Sequence, residues 1–187
     1  MNKIVKECIE KVYEKKDYQY FKNRCKKIPP YLNRLEEITD NMCKESHVSQ
    51  LENEPAIEVW FQFDSFIDQK FVVEYKTLLK ISKIADVFVF QHEFCVENCD
   101  PNRMSPVLDG FGPEPYTISQ GILERTVTHY LESENLHKLL LPEMDEVIGN
   151  LEIPTKSIFG NQMTIENALF RARAPALVKR LRLASPP

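Results

Sequence analysis

Apolar side chains recur at three- and four-residue steps over residues 2–44. This spacing predicts amphipathic helices. Two stripes carry the pattern: Val5, Cys8, Ile9 and Val12, and then Leu32, Leu35, Ile38 and Met42. The prolines at positions 29 and 30 separate two helices, because proline lacks the backbone donor that a helix interior needs. Residues 45–54 are mostly polar, and we expect them to form a connector.

The period of the pattern then falls to two, which is typical of half-buried β-strands. In the segment 57–64, the apolar residues Ile57, Val59, Phe61 and Phe63 alternate with mostly polar neighbours. Residues 71–81 and 87–97 alternate in the same way and predict two further strands. The connections are too short for crossover helices, so we expect an antiparallel meander.

Helical patterns return after a long loop. Residues 100–116 contain four prolines and two glycines and predict a loop. Thr117 and Gln120 then fit a capping box, which predicts a helix over residues 118–133. We expect a short helix over 136–141, one more turn pair over 143–148, and loop or a short strand over 150–163. A last helix would run from a Thr164 cap to Leu169.

These patterns together predict an α+β fold with N-terminal helices, a central antiparallel meander of at least three strands, and C-terminal helices packed on one face. A length of 187 residues suits one domain. We assign it to residues 1–170, with a helical part at 1–54, a sheet at 55–99, a loop at 100–116 and a second helical part at 117–170.

Residues 171–187 differ in composition from the rest, since they hold one lysine and four arginines among alanines and prolines. One interpretation is a segment foreign to the domain. The alternative is a basic helix that packs Leu177, Val178 and Leu181 on the acidic body.

Charge is distributed unevenly along the chain. The overall net charge is −4, but residues 55–163 carry 17 Asp and Glu against 8 Lys and Arg, a net charge of −9. An acidic body disfavours nucleic acid as a partner and allows a basic protein, while the commoner reason for such a charge distribution is a solvated acidic surface. No apolar run is long enough to span a membrane, and the mixed charge at the N-terminus is unlike a signal peptide. An odd count of five cysteines favours reduced thiols. We therefore predict a cytoplasmic protein without a membrane partner.

Candidate chemistry is sparse. His92, Cys95 and Cys99 are residue types that bind zinc, but in a strand His92 and Cys95 point to opposite faces, so we predict no metal site and a core role for His92. The glycines form no phosphate-binding loop, and no serine lies in a glycine-flanked elbow, so we predict no cofactor.

The predicted binding residues are aromatic and acidic. Trp60 is the sole tryptophan and lies on the polar face of the first predicted strand, where it is either covered by the N-terminal helices, which we favour, or exposed as an interface anchor. Asp109, Phe111, Glu114 and Tyr116 lie in the long loop and suit a basic protein partner.

Three functions fit these features. A helical start, an antiparallel sheet and an acidic body without a catalytic motif resemble, as a general type, the small bacterial immunity proteins that neutralise a basic toxin through an acidic surface. The resemblance implies a non-catalytic, inhibitory binding protein, which is the leading hypothesis. The first alternative is an enzyme with a site near residues 100–116 that uses Cys99, His129 or Glu114. The second is an accessory or scaffold subunit that docks through Trp60 or the tail.

Overall fold

The computed structural model describes residues 1–49, 53–100, 102, 108–152, 162–171 and 179–180. Its helices are α1 (Lys3–Ile9), α2 (Tyr18–Lys26), α3 (Tyr31–Thr39) and α4 (Ile118–Ser133), with a π-helical segment Glu10–Glu14, a 3₁₀ turn Leu141–Asp145 and a terminal π-helical turn Asn167–Arg171. Its strands are β1 (Glu45–Ser49), β2 (Ala56–Gln62), β3 (Phe66–Asp68), β4 (Phe71–Ser82), β5 (Val87–Asn98), β6 (Leu108–Gly112), β7 (His137–Lys138), β8 (Val147–Glu152), β9 (Gln162–Thr164) and β10 (Lys179–Arg180).

The main sheet has seven strands in the order β1-β2-β4-β5-β6, with β3 beside β4 and β7 beside β5. Every pairing in it is antiparallel except that of β7 with β5. The α+β class and the antiparallel meander predicted from the sequence are therefore confirmed. A small second sheet has the order β10-β8-β9.

Helices α3 and α4 cover one side of the main sheet, which we call the helical side. Leu35 of α3 and Leu123 and Val127 of α4 share a buried cluster with Val59 and Phe61 of β2. The predicted capping box begins α4, since the Thr117 hydroxyl accepts from Gln120 N–H at 3.1 Å and Gln120 Oε1 accepts from Thr117 N–H at 3.0 Å. Gln120 is fully buried, and its side-chain amide donates to the Lys76 carbonyl at 2.8 Å. This bond anchors the start of α4 to β4.

On the opposite side of the sheet, the described helices cover one end. There α1, the π-helical segments and β9 share a second buried cluster with Ala56, Ile84 and Val89. Ser82 Oγ donates to the Leu169 carbonyl at 3.1 Å, and Lys80 Nζ donates to Glu166 at 2.7 Å. The structure differs here from the prediction that the C-terminal helices pack on one face. Helix α4 packs on the helical side, whereas the Asn167–Arg171 turn packs on the opposite side.

Several local predictions are wrong, and each error falls where apolar alternation is weak. The connector predicted at 45–54 contains β1, in which only the last two residues are partly buried. The loop predicted at 100–116 contains β6, a strand with two glycines. The segment 136–141 is not a helix but includes β7, and the parts at 1–54 and 117–170 are not purely helical. The expected turn over 143–148 is replaced by the Leu141–Asp145 turn and the start of β8.

The cap predicted for the last helix is present, whereas only part of the tail belongs to the described residues. Thr164 accepts from Asn167 N–H at 3.3 Å, as expected for a cap, although the segment that follows is π-helical. Most of the tail, with Leu177, Val178 and Leu181, lies outside the described residues. Lys179–Arg180 within it pair as a strand with β8, so these two residues are not helical.

Gly110 is required where β6 packs against β5. A Cβ atom at this position would lie 2.7 Å from Cε1 of Phe94, whereas a Cβ at Gly149 would have no atom within 4 Å. We expect Gly110→Ala to lower the free energy of unfolding by about 1–2 kcal/mol through this overlap. The matched change Gly149→Ala should leave it unchanged or raise it by about 0.5 kcal/mol. Urea denaturation of both variants measures the difference, and equal midpoints would contradict the packing described for β6.

Candidate functional site

The surface with the most distinctive chemistry is the half of the sheet, opposite α3 and α4, that the described helices leave open. We call it the open face. Because residues paired across strands share a side, and successive residues alternate, the registers of β1, β2, β4, β5 and β6 define its rows. One row, where the open face meets the covered end of the sheet, contains His47, Trp60, Leu78 and Gln91, and Leu78 in it is buried. The next contains Glu45, Gln62, Lys76, Glu93 and Phe111. A third contains Glu74, Cys95 and Asp109.

Carboxylates outnumber lysines in these rows and their continuation. The acidic residues on this side of the strands are Glu45, Glu58, Glu74, Glu93, Glu97 and Asp109, and the basic residues are Lys76 and Lys80. Among the described residues, Lys76 pairs with Glu74 at 3.3 Å and Lys80 with Glu166 at 2.7 Å. Most carboxylates of the open face therefore have no basic partner within the part of the chain that the structure describes.

Trp60 lies on the open face beside the covered end of the sheet, in a groove of about 470 Å³. The groove is lined by Glu45, Ser46, His47, Trp60, Phe61, Gln62, Lys76 and Glu93. Trp60 is half-buried, and none of the described residues that line its groove belongs to α1, α2 or α3. The expectation that the N-terminal helices cover Trp60 is therefore wrong.

The structure brings three of the five predicted binding residues onto this face. Trp60, Asp109 and Phe111 share it, and Phe111 is 69% exposed. Tyr116 lies elsewhere, since its ring packs edge-on against Phe94 of the helical side at a centroid distance of 4.8 Å. Glu114 is exposed in the turn after β6. The predicted acidic and aromatic group is thus divided between the two sides of the β6 edge.

Sequence reasoning missed Glu45, Lys76 and Glu93 as neighbours of Trp60. These side chains reach the groove from three different strands, and only the register of those strands brings them together. Alternation within β4 and β5 did place Lys76 and Glu93 on polar faces. Glu45 gave no such signal, because β1 is too polar to be predicted as a strand.

His92 belongs to a buried polar network on the helical side. Its side chain is fully buried, and its ring lies parallel to that of Phe90 with 6.2 Å between the ring centroids. The core role predicted for His92 is therefore confirmed. Nε2 lies 3.2 Å from Glu124 Oε2, and Nδ1 lies 2.9 Å from the Thr77 hydroxyl. A carboxylate only accepts, so Nε2 donates to Glu124, and in the neutral ring Nδ1 accepts from Thr77.

Lys138 completes this network by donating to Glu124 from the other side. Burial by itself would raise the pKa of the Glu124 carboxyl, but the hydrogen bonds from His92 and Lys138 outweigh burial and lower it. Glu124 is therefore an ionised partner that joins α4 to β5 and β7. The His92 ring and the Thr77 hydroxyl are fully buried, whereas Glu124 and Lys138 line a shallow hollow at the surface.

The residues of the enzyme hypothesis are not brought together. Cys99 follows β5 at one end of the sheet, where its N–H donates to the Lys70 carbonyl at 2.6 Å. His129 lies on α4 more than a turn beyond Glu124, toward the opposite end, in a shallow hollow with Arg125, Glu132 and Lys138. Among the described residues no group of three His, Cys, Asp or Glu side chains is arranged to hold a metal ion. His92 and Cys95 occupy opposite sides of β5, as expected.

The cysteines differ sharply in their access to solvent. Burial raises the pKa of Cys8 to about 12 and that of Cys25 to about 11, whereas Cys99 is exposed. The thiolate is the reacting form, so we expect alkylation at pH 8 to modify Cys99 at least ~100-fold faster than Cys8 or Cys25. Peptide mass mapping over time measures the three rates. Comparable rates in the folded chain would contradict the packing of α1 and α2.

Comparison with known proteins gives no information on the function of this chain. The chain matches no family model, no curated protein and no solved structure. Within the described part of the chain, no helix combines the length and the apolar content needed to cross a membrane.

Proposed function

We propose that this chain is a non-catalytic protein that binds a basic partner protein through the open face and thereby inhibits it. The observation that carries the proposal is a group of carboxylates from several strands around Trp60 and Phe111, most of which have no basic partner among the described residues. They lie on a part of the sheet that the described helices leave open. A half-buried tryptophan surrounded by charged side chains has the composition of an interface anchor with a polar rim.

The charges of the open face favour a partner that is rich in lysine and arginine. Glu93 and Asp109 belong to neighbouring rows of the sheet, and each brings negative charge to a surface that already repels anions. Opposite charge on the partner accelerates association and fixes its orientation. An arginine placed over the Trp60 ring would also gain a cation–π contact.

Inhibition is the more specific part of the proposal. An acidic surface can bind and cover the basic surface of a nuclease toxin, as the acidic surfaces of the immunity proteins that this chain resembles in its general organisation do. The accessory-subunit alternative shares the docking surface but predicts no loss of the partner's activity.

Affinity capture with matched baits tests the proposal. The baits are the unmodified chain, an open-face variant (Glu45→Gln, Glu93→Gln, Asp109→Asn) and a control variant with the same change in charge on α3 and at the end of α4 (Glu36→Gln, Glu132→Gln, Glu134→Gln). We expect the unmodified and control chains to retain one basic protein from lysate of the source cells at low salt and to release it at high salt. The open-face variant should retain little of it.

The partner's own activity then tests inhibition. Adding the unmodified chain to the captured protein should abolish that activity at stoichiometric amounts, and adding the open-face variant should not. Equal capture by all baits would overturn the assignment of the open face. Capture without loss of activity would favour the accessory subunit over the inhibitor.

A further inference from the structure

Strand β6 is an unpaired edge of the main sheet in the part of the chain that the structure describes. It ends the strand order β1-β2-β4-β5-β6, and among the described residues only β5 pairs with it. An edge strand presents a row of backbone N–H and C=O groups that another chain can pair with. This edge borders the open face directly, because Asp109 and Phe111 belong to both.

The register identifies the backbone groups that point outward. Phe63 N–H donates to the Tyr75 carbonyl at 3.0 Å, which fixes the side of β4 on which Tyr75 bonds. Hydrogen bonding alternates between the two sides of a strand, and the registers through β4, β5 and β6 are unbroken. When the alternation is followed from Tyr75 across these registers, the N–H and C=O groups of Gly110 face β5. Those of Asp109 and Phe111 face away from β5.

The two sides of this edge differ in chemistry. On the open face, Asp109 and Phe111 stand beside the carboxylate of Glu93. On the helical side, Leu108 is 63% exposed and Tyr116 is 43% exposed. Side chains of an added strand would alternate between these two surfaces, since successive residues of a strand point to opposite sides. Basic residues would therefore suit every second position and apolar residues the positions between them.

We propose that β6 receives an extended segment of the basic partner as an additional antiparallel strand, with lysines or arginines facing Asp109 and Glu93 and apolar side chains facing Leu108 and Tyr116. The inference rests on the proposed function and names the part of the partner that is recognised. Backbone bonds to Asp109 and Phe111 supply register, and the alternating side chains supply specificity.

A peptide of defined pattern tests this strand addition. The probe is an acetylated and amidated peptide of about eight residues in which lysine and valine alternate, and its comparator has the same composition with all lysines before all valines. In the free chain we expect the amides of Asp109 and Phe111 to exchange rapidly with solvent, while that of Gly110 is protected. The alternating peptide should slow exchange at Asp109 and Phe111 by at least ~10-fold, and the comparator should not.

Proline variants separate the backbone contact from the charge. Asp109→Ala removes the carboxylate and keeps the N–H, whereas Asp109→Pro removes both, and an outward-facing N–H at an edge can be lost without breaking the ladder to β5. We expect Asp109→Pro to bind the alternating peptide about 5-fold more weakly than Asp109→Ala, as for the loss of one hydrogen bond. The matched pair Ile67→Ala and Ile67→Pro, on the other edge at β3, should bind equally well.

The outcomes distinguish this inference from the proposed function. Unchanged exchange at Asp109 and Phe111 with the alternating peptide overturns strand addition, whether or not the proline variant folds. If the captured partner discriminates the open-face variant but binds Asp109→Ala and Asp109→Pro equally, the proposed function stands and strand addition fails. If the partner discriminates neither set, both fail.

Discussion

Replacing His92 by alanine is expected to lower the free energy of unfolding by about 3–5 kcal/mol. The ring is fully buried, and both of its nitrogens have partners. Its loss leaves a cavity beside Phe90 and removes a hydrogen-bond partner from the buried Thr77 hydroxyl and from the Glu124 carboxylate. Urea denaturation of the variant measures the change.

The exposed histidine of α4 provides the control for this experiment. His129→Ala removes the same side chain from an exposed position, and we expect a change within about 0.5 kcal/mol. A loss of less than about 1 kcal/mol for His92→Ala would mean that the network among β4, β5 and α4 does not hold the helical layer on the sheet.

Replacing Trp60 by alanine is expected to weaken binding of the basic partner by at least ~30-fold, which corresponds to the 2 kcal/mol that defines an interface hot spot. The side chain is half-buried in the open-face groove, so its removal eliminates the apolar centre of the surface while the surrounding carboxylates remain. Isothermal titration with the captured partner measures the affinity.

An exposed aromatic residue on the other side of the sheet is the matched control. Phe66 is 59% exposed and pairs with Val73 on the helical side. Phe66→Ala should leave the affinity for the partner unchanged. If Trp60→Ala and Phe66→Ala weaken binding equally, the interface does not centre on the groove.

The strands with regular alternation were predictable because one side of each is buried. Ile57, Val59 and Phe61 of β2 are almost fully buried, and the residues between them are only partly so. Alternation fails in the last half of β4, where Leu78 and Lys80 are buried as well as Leu79 and Ile81. There the sheet is covered on both sides, a property of the tertiary structure that local sequence does not encode.

Strand β6 escaped prediction for a different reason. Its two glycines and the prolines around it are typical of a loop, yet Gly110 is there because a side chain would overlap Phe94 of the neighbouring strand. A glycine that permits close packing and a glycine that permits a turn have the same letter in the sequence. Only the register of β6 with β5 separates them.

Single residues of the candidate site were predictable from their type, but their grouping on one face of the sheet was not. Trp60 was singled out as the sole tryptophan on a polar strand face, and Asp109 and Phe111 as acidic and aromatic residues. That these share one face with Glu45 and Glu93 follows from pairings between strands up to 66 positions apart, as in the row that joins Glu45 to Phe111. The network around His92 could not be predicted for the same reason, since His92 contacts Glu124 of α4, and Glu124 in turn contacts Lys138 of β7.

Fluorine NMR of Trp60 in the presence of the partner is the most direct test of the central claim. Fluorotryptophan incorporated into this chain gives one resonance, because Trp60 is its sole tryptophan, and an unlabelled partner contributes none. We predict that the captured partner shifts this resonance and shields it from a soluble paramagnetic quencher, and that both effects disappear in high salt. A partner that binds with an unchanged, fully accessible Trp60 resonance would contradict the assignment of the open face as the binding surface.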